Sequence, residues 1–392
     1  MSIVKIAIVS DLHCCHSKTG GADRSRLLSD MMRIPAKQHP VESLLELIHQ
    51  QHIQSDLLVC PGDITNRVDK QGLVSGFSYL EEIRNALNAQ KLFCTPGNHD
   101  VDSRDLYKLS ESNEILKSLH KRYPFEDDDL KQSFWSDNFC LYENDFIELL
   151  LFNSTFNHTN EEKALKAIIP ELTLSKIQEK IEQKKDTGKI KVFVCHHHPF
   201  PFSNVDSVKY KDGDCLENGD KLLEILRDNG YYLVIHGHKH IPRYLFHNGV
   251  HLFAAGSFSS LENIAEGNTS NSFHIIELHN SNSILKAQIK TWYFTSAKGW
   301  SVSRDPDEIF PSLTGFGSEK SINEIAVAIH NYFETESKDR VKFLEIISFI
   351  PDILHLSPGQ QVSLEKMLEN TYGLKILNSL GTNPNEILKQ LI

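Results

Sequence analysis

Five short clusters of oxygen and nitrogen donors stand out in the chain: Asp11-Leu12-His13, Gly62-Asp63-Ile64-Thr65-Asn66, Gly97-Asn98-His99-Asp100, His196-His197-His198-Pro199 and Gly237-His238-Lys239-His240. Carboxylate, carboxamide and imidazole groups together suit Mn, Fe, Zn or Ni ions. Any one cluster is a weak signal, because a lone histidine after a strand is usually hydrogen-bonded for structural reasons. All five in one chain, each at the end of an apolar run, point to metal binding. Such a set can hold two ions, and two ions roughly 3.5–4 Å apart can acidify a shared water and stabilise both the attacking and the leaving oxygen of a displacement.

The elements that must position these groups are strands. Ile3 to Val9 reads as a buried strand ahead of Asp11, Asp56 to Cys60 as a second ahead of Asp63, and Lys91 to Thr95 as a third ahead of Asn98. Between them, Leu44, Leu45 and Ile48, and then Phe77, Leu80, Ile83 and Leu87, recur at helical spacing. Phe146 to Asn153, Ile190 to Cys195, Tyr231 to Ile235 and His251 to Ala255 read as further strands, with helices over 173 to 185 and 220 to 228. Phe273 to Leu278 and Ile284 to Phe294 read as a closing antiparallel pair around Asn280-Ser281-Asn282. The alternation is that of an α/β fold, in which ligands gather outside the carboxyl ends of strands, so the five loops should converge.

In this order, D-x-H, G-D-x-x-N, G-N-H-D, H-x-P and G-H-x-H, the clusters resemble the calcineurin-like metallophosphoesterases. The form of G-D-x-x-N and the H-H-P ending are similar to class III cyclic-nucleotide phosphodiesterases. The resemblance covers about residues 1 to 295. It implies a four-layer α/β/β/α sandwich and a dinuclear centre with a hydroxide bridging two divalent or trivalent transition metal ions. It places Asp11, His13 and His240 on one metal, Asn98, His197 and His238 on the other, and Asp63 as the bridge. His197 is chosen over His196 and His198 because the family's ligand typically stands two before the proline. His99 is implied to be the catalytic acid that protonates the leaving alkoxide. Asn66, Asp100 and Arg67 are candidates for supporting the site or touching substrate. Protein phosphatases of the family carry Asp followed by Arg-Gly where this chain has Asn66-Arg67-Val68, a departure that weakens a protein-phosphatase reading.

The bulk properties narrow the rest. A net charge of −11 weighs against a broad nucleic-acid footprint, which needs a basic face. A repair-exonuclease activity on DNA or RNA is therefore an alternative that the motifs allow and the charge disfavours. No apolar run is long enough to span a bilayer, and the apolar start ends at Ser10-Asp11 without the features of a signal peptide, so the expected location is cytoplasmic and no membrane partner is expected. Seven cysteines, an odd number in apparent core segments, read as reduced thiols. Residues 1–300 are expected to form the metallophosphoesterase domain, with a helical insertion near 101–140, and residues 301–320 a linker rich in Ser, Pro and Gly. Residues 321–392 read as a small helical module, including a last helix from Asn385. That module is the expected surface for any protein partner, and on a non-catalytic reading the whole chain would be a scaffold recruiting partners through it. The preferred reading is a phosphodiesterase acting on a small phosphorylated molecule or nucleotide.

Overall fold

The computed structural model describes residues 3–103, 113–119, 122–159, 166–184, 188–201, 215–262, 270–281, 284–303, 310–382 and 384–390. The chain opens with strand β1 (Ile3–Ile8). Helix α1 (Pro40–Gln51) follows, started by a proline in its first turn and by His39, whose ring accepts the Glu42 N–H. Strand β2 (Leu57–Cys60) leads to helix α2 (Lys70–Ala86), capped by the Asp69 carboxylate on Gly72 N–H. Strand β3 (Lys91–Cys94) completes a parallel β1-β2-β3 set.

The expected insertion over 101–140 contains helices α3 (Glu114–Leu119) and α4 (Asp128–Asp137). A second sheet then builds from β4 (Phe139–Glu143), β5 (Ile147–Phe152), helix α5 (Glu171–Glu182), β6 (Ile190–Val194), helix α6 (Gly219–Asp228), β7 (Leu233–His236), β8 (Arg243–His247) and β9 (Val250–Ala254). Its order is β4-β5-β6-β7-β9-β8, parallel from β5 through β9. The chain returns to the first sheet through the antiparallel pair β10 (Ser272–Ser281) and β11 (Ile284–Thr295), followed by β12 (Gly299–Ser301) and β13 (Leu313–Phe316).

The two sheets stack through their buried faces. Ile6, Ile8, Leu57 and Val59 of the first meet Leu149, Leu151, Val192, Val194 and Ile235 of the second in one apolar core. On the outer face of the first sheet, Ala7, Val9 and Leu58 pack with Leu44, Ile48, Phe77 and Leu80 of α1 and α2. On the outer face of the second, Phe193 and Val234 pack with Leu174, Ile177, Leu222 and Leu226 of α5 and α6. The result is the expected helix/sheet/sheet/helix sandwich, and its parallel strands read as near-continuous apolar runs because both faces are covered.

The C-terminal region differs from its expected form. Residues 301–320 are not a plain linker: β13 lies within them and pairs with Ala287–Lys290 of β11. Beyond it come helix α7 (Ile322–Glu336), β14 (Arg340–Lys342), helices α8 (Phe343–Phe349) and α9 (Pro358–Tyr372), β15 (Leu374–Leu377) and β16 (Glu386–Lys389). The expected last helix is thus strand β16, in a sheet of order β14-β16-β15. Four residues, Glu-Ile-Leu-Lys, are too few for periodicity to separate strand from helix. No helix among the described residues is long and apolar enough to cross a membrane.

Candidate metal centre

All five donor clusters lie in loops that leave strand ends on one side of the sandwich. Their backbone is unusual. Asp11 (φ 52°), His13 (φ 48°), Asp63 (φ 52°), His238 (φ 80°) and His240 (φ 59°) occupy the left-handed region. That conformation disfavours any residue bearing a Cβ and persists where the surroundings over-determine it. Here the surroundings are cross-loop hydrogen bonds: Asp11 N–H donates to Gly62 O, and His13 N–H to Asp63 O, each at 3.0 Å. Two motif glycines make room for the ligand carboxylates. A Cβ on Gly97 would lie 2.1 Å from Asp63 Oδ1, and one on Gly237 would lie 2.6 Å from Asp11 Oδ2.

The donors gather into two groups that meet at Asp63. In the first, which brings together Asp11, His13, Asp63 and His240, His13 Nε2 lies 2.9 Å from His240 Nε2 and 3.6 Å from Asp63 Oδ2. His240 Nε2 lies 3.4 Å from Asp11 Oδ1. In the second, Asn98 Oδ1 lies 3.1 Å from His196 Nε2 and 3.0 Å from His238 Nδ1, and those two nitrogens are 3.3 Å apart. His196 Nε2 lies 3.4 Å from Asp63 Oδ2. The other Asp63 oxygen, Oδ1, accepts His99 N–H at 2.8 Å. Each group is a set of oxygen and nitrogen atoms close enough to share one ion, so the residues fit the two metals that the donor chemistry calls for.

Electrostatics agree with that reading. Burial alone would favour neutral Asp63, yet His196, His99 and His13 hold its carboxyl well below the ordinary value. Burial would likewise raise Asp11, and His240 outweighs it. Burial and His240 keep His13 below its usual value, so it offers a neutral imidazole lone pair. Both carboxylates are therefore charged in a nearly solvent-free setting, where cations are the natural complement.

The histidine run brings more than one donor to the second group. His196 points its Nε2 at Asn98, Asp63 and His238, and His196, His197 and His238 offer donor atoms within 4.8 Å of one another. His197 Nδ1 is bonded to Ser154 Oγ at 2.8 Å, and its buried Nε2 has no hydrogen-bond partner among the described residues. His198 stacks on His238 with ring centroids 5.8 Å apart.

The remaining predicted residues fall around the centre. His99 Nδ1 lies 3.0 Å from Asn66 Oδ1, and its ring meets His13 edge-on at 4.6 Å. Asn66 in turn donates to Gly21 O. Asp100 is buried and accepts Thr65 N–H at 2.8 Å and Gly97 N–H at 2.9 Å, which ties the second and third loops together. Arg67 is exposed beside the Gly20-Gly21 turn. Sequence reasoning missed Ser154, His158 and Glu262. His158 packs its ring 5.0 Å from that of His197, and Glu262 lies 3.8 Å from His240 Nδ1 while bridging to Arg24. The polar run Asn153-Ser154-Thr155 after β5 is a strand-end signal like the others and could have flagged Ser154, whereas nothing local marks Glu262.

The profile of the calcineurin-like phosphoesterases matches residues 4–242. A probable cyclic nucleotide phosphodiesterase of Pseudoalteromonas sp. (strain SM9913) is 26% identical over 238 residues, spanning 60% of this chain and 71% of that protein. Another probable cyclic nucleotide phosphodiesterase, from Psychrobacter arcticus, is 24% identical over 255 residues, 65% of this chain and 80% of its own. Among solved structures, a dimetal phosphatase from Danio rerio aligns with 74% of this chain and 96% of its own, at 12% identity and a TM-score of 0.49.

Proposed function

The chain belongs to the calcineurin-like phosphoesterase family, and from that premise we propose that it is a phosphodiesterase acting on a small phosphorylated molecule or nucleotide. The observation that carries the reading is the place of Asp63 Oδ2, 3.6 Å from His13 Nε2 in one donor group and 3.4 Å from His196 Nε2 in the other. A carboxylate oxygen shared between two buried donor groups is what a metal pair needs, since it links two cations while offsetting their charge. The similarity to two probable cyclic nucleotide phosphodiesterases supports a diester of nucleotide size as substrate.

In this reading Asp11, His13, Asp63 and His240 hold one ion, and Asp63, Asn98, His196 and His238 hold the other. His196 replaces His197 in the ligand set, and His197 supports it from behind. When bound, such a pair supplies an activated water and positive charge over the phosphate oxygens. The protein's own residues do the rest. Asn66 accepts the Nδ1 proton of His99 and so turns Nε2 toward the substrate side, where the imidazolium releases a proton to the leaving oxygen. Asp100 fixes the loops of Asp63 and His99 through its two backbone contacts. Manganese, iron, zinc and nickel all suit the donors.

The test is hydrolysis of bis(p-nitrophenyl) phosphate and p-nitrophenyl phosphate with added Mn²⁺. Diester cleavage that requires the metal and disappears in Asp63→Ala is the expected result. Cleavage that persists in Asp63→Ala, or wild-type protein that binds two metals yet cleaves neither ester nor any cyclic nucleotide, would overturn the proposal.

A further inference from the structure

Away from the metal centre, on the outer face of the first sheet, a cleft of about 480 Å³ opens between the sandwich and the C-terminal region. One wall is the sheet face carrying Gln288, Lys290 and Trp292 of β11. Leu344 and Ile347 of α8 and Ile53, just past α1, also line the cleft. The lining mixes apolar side chains with polar ones, Lys5, Glu277 and Gln288 among them, and its size falls in the range of small-molecule sites, roughly 300–1,000 Å³.

Among the described residues, neither Lys290 nor the indole N–H of Trp292 has an ion-pair or hydrogen-bond partner. Lys290 is half-buried, and its Nζ rests 4.6 Å from the Trp292 ring centroid. Among the described residues no carboxylate forms an ion pair with it, while the neighbouring Lys5 is already paired with Glu277 at 2.9 Å. Burial pushes the Lys290 ammonium below its ordinary value, the sign of a cation short of compensation. Trp292 is 2% exposed, and its indole N–H has no hydrogen-bond acceptor among the described residues. The ring face offsets part of the ammonium's charge, and a half-buried cation with no counter-charge beside it suits an anion. Leu344, in the same lining, is 74% exposed, an apolar side chain open to solvent.

We propose that this cleft binds a small organic anion with an apolar body, its charged head on Lys290 and its body between Ile53, Leu344 and Ile347. The site stands apart from the phosphoesterase reaction and does not depend on it. Two sources share this chemistry: a medium-chain carboxylate and a nucleoside monophosphate. Isothermal titration of the full chain with decanoate and with adenosine 5′-monophosphate tells them apart, and inorganic phosphate serves as the head without a body.

The expected result is saturable binding of one of the two organic anions, inorganic phosphate binding far more weakly. Lys290→Gln should weaken that binding by about tenfold or more, the loss of one charge-assisted contact. Leu344→Asp changes an exposed residue and leaves the fold intact, so it reports on the site even if Lys290→Gln does not fold; it too should weaken binding by about tenfold. Failure of both organic anions to bind would overturn the proposal, as would binding that Leu344→Asp leaves unchanged.

Discussion

At the scale of single residues, the two donor groups make sharply different demands on neighbouring histidines. His196→Ala removes a nitrogen that faces Asn98 and Asp63, so purified protein should carry about one metal fewer per chain and lose nearly all diester cleavage. His197→Ala should keep both metals, because its bonded nitrogen faces Ser154; elemental analysis of the two variants decides between them. His99→Ala should leave metal content unchanged and lower kcat by about 10²–10⁴ for an alkyl ester, the usual worth of a general acid. The loss should be much smaller for a p-nitrophenyl ester, whose leaving group needs no proton, and equal losses on both substrates would rule out the acid role. Most of this set was legible because Asp11, His13, Asp63, Asn98, His99, His238 and His240 occur in compact motifs directly after apolar runs. Among the three adjacent histidines, the contact of His196 Nε2 with Asn98 and Asp63 is a tertiary feature that position before a proline does not reveal. Glu262 was invisible because it reaches His240 only through tertiary packing.

At the scale of elements, the loops work because backbone replaces side chain where the ligands crowd. Gly97→Ala would force a methyl group to 2.1 Å from Asp63 Oδ1. Moving that carboxylate should reduce kcat by about 10²-fold, the order of loss that follows a displacement near 1 Å in a reacting centre, and metal titration should show weakened binding in parallel. The strands also carry buried neutral histidines that tie stability to pH. Burial holds His274 of β10 down at about 3 and His251 of β9 down at about 4. His274 is further boxed in by Thr291 Oγ1 at 2.9 Å and Ser272 Oγ at 3.0 Å. In the unfolded chain both titrate near 6.5. Between that value and the folded values the unfolded chain binds protons that the folded one refuses, so stability is full above about pH 6.5 and falls as pH drops toward 4. Each histidine contributes up to about 1.4 kcal/mol per pH unit to the slope. The urea midpoint should therefore decrease from about pH 7 to about pH 5, and the decrease should shrink in His251→Gln. The strand and helix rhythm of the sandwich was readable because its strands are long apolar runs. Strand β13 was not, since Leu-Thr-Gly-Phe is brief and flanked by Ser, Pro and Gly, the composition of a loop.

At the scale of the whole molecule, the C-terminal region is fastened to the sandwich and does not hang from a tether. Its core of Ile325, Ile329, Phe333, Ile346 and Leu364 is its own, but its attachment runs through β13. Gly315 N–H donates to Leu356 O at 2.9 Å, Leu313 N–H to Gly381 O at 3.0 Å, and His355 Nδ1 meets Ala287 O at 3.1 Å. Calorimetry of the full chain should accordingly show one unfolding transition; two well-separated peaks would mean that the regions fold independently. The same strand has a consequence for damaged chains. Strand β11 is twelve residues long, and on its outer side β12 pairs with Tyr293–Thr295 and β13 with Ala287–Lys290. A proteolytic cut that removed everything after β12 would strip β13 away and leave a bare row of N–H and C=O groups on an otherwise well-formed sheet. Such an edge is a template for the matching edge of another molecule. Clipped protein should therefore gather into β-rich aggregates, which makes β13 a guard against self-association.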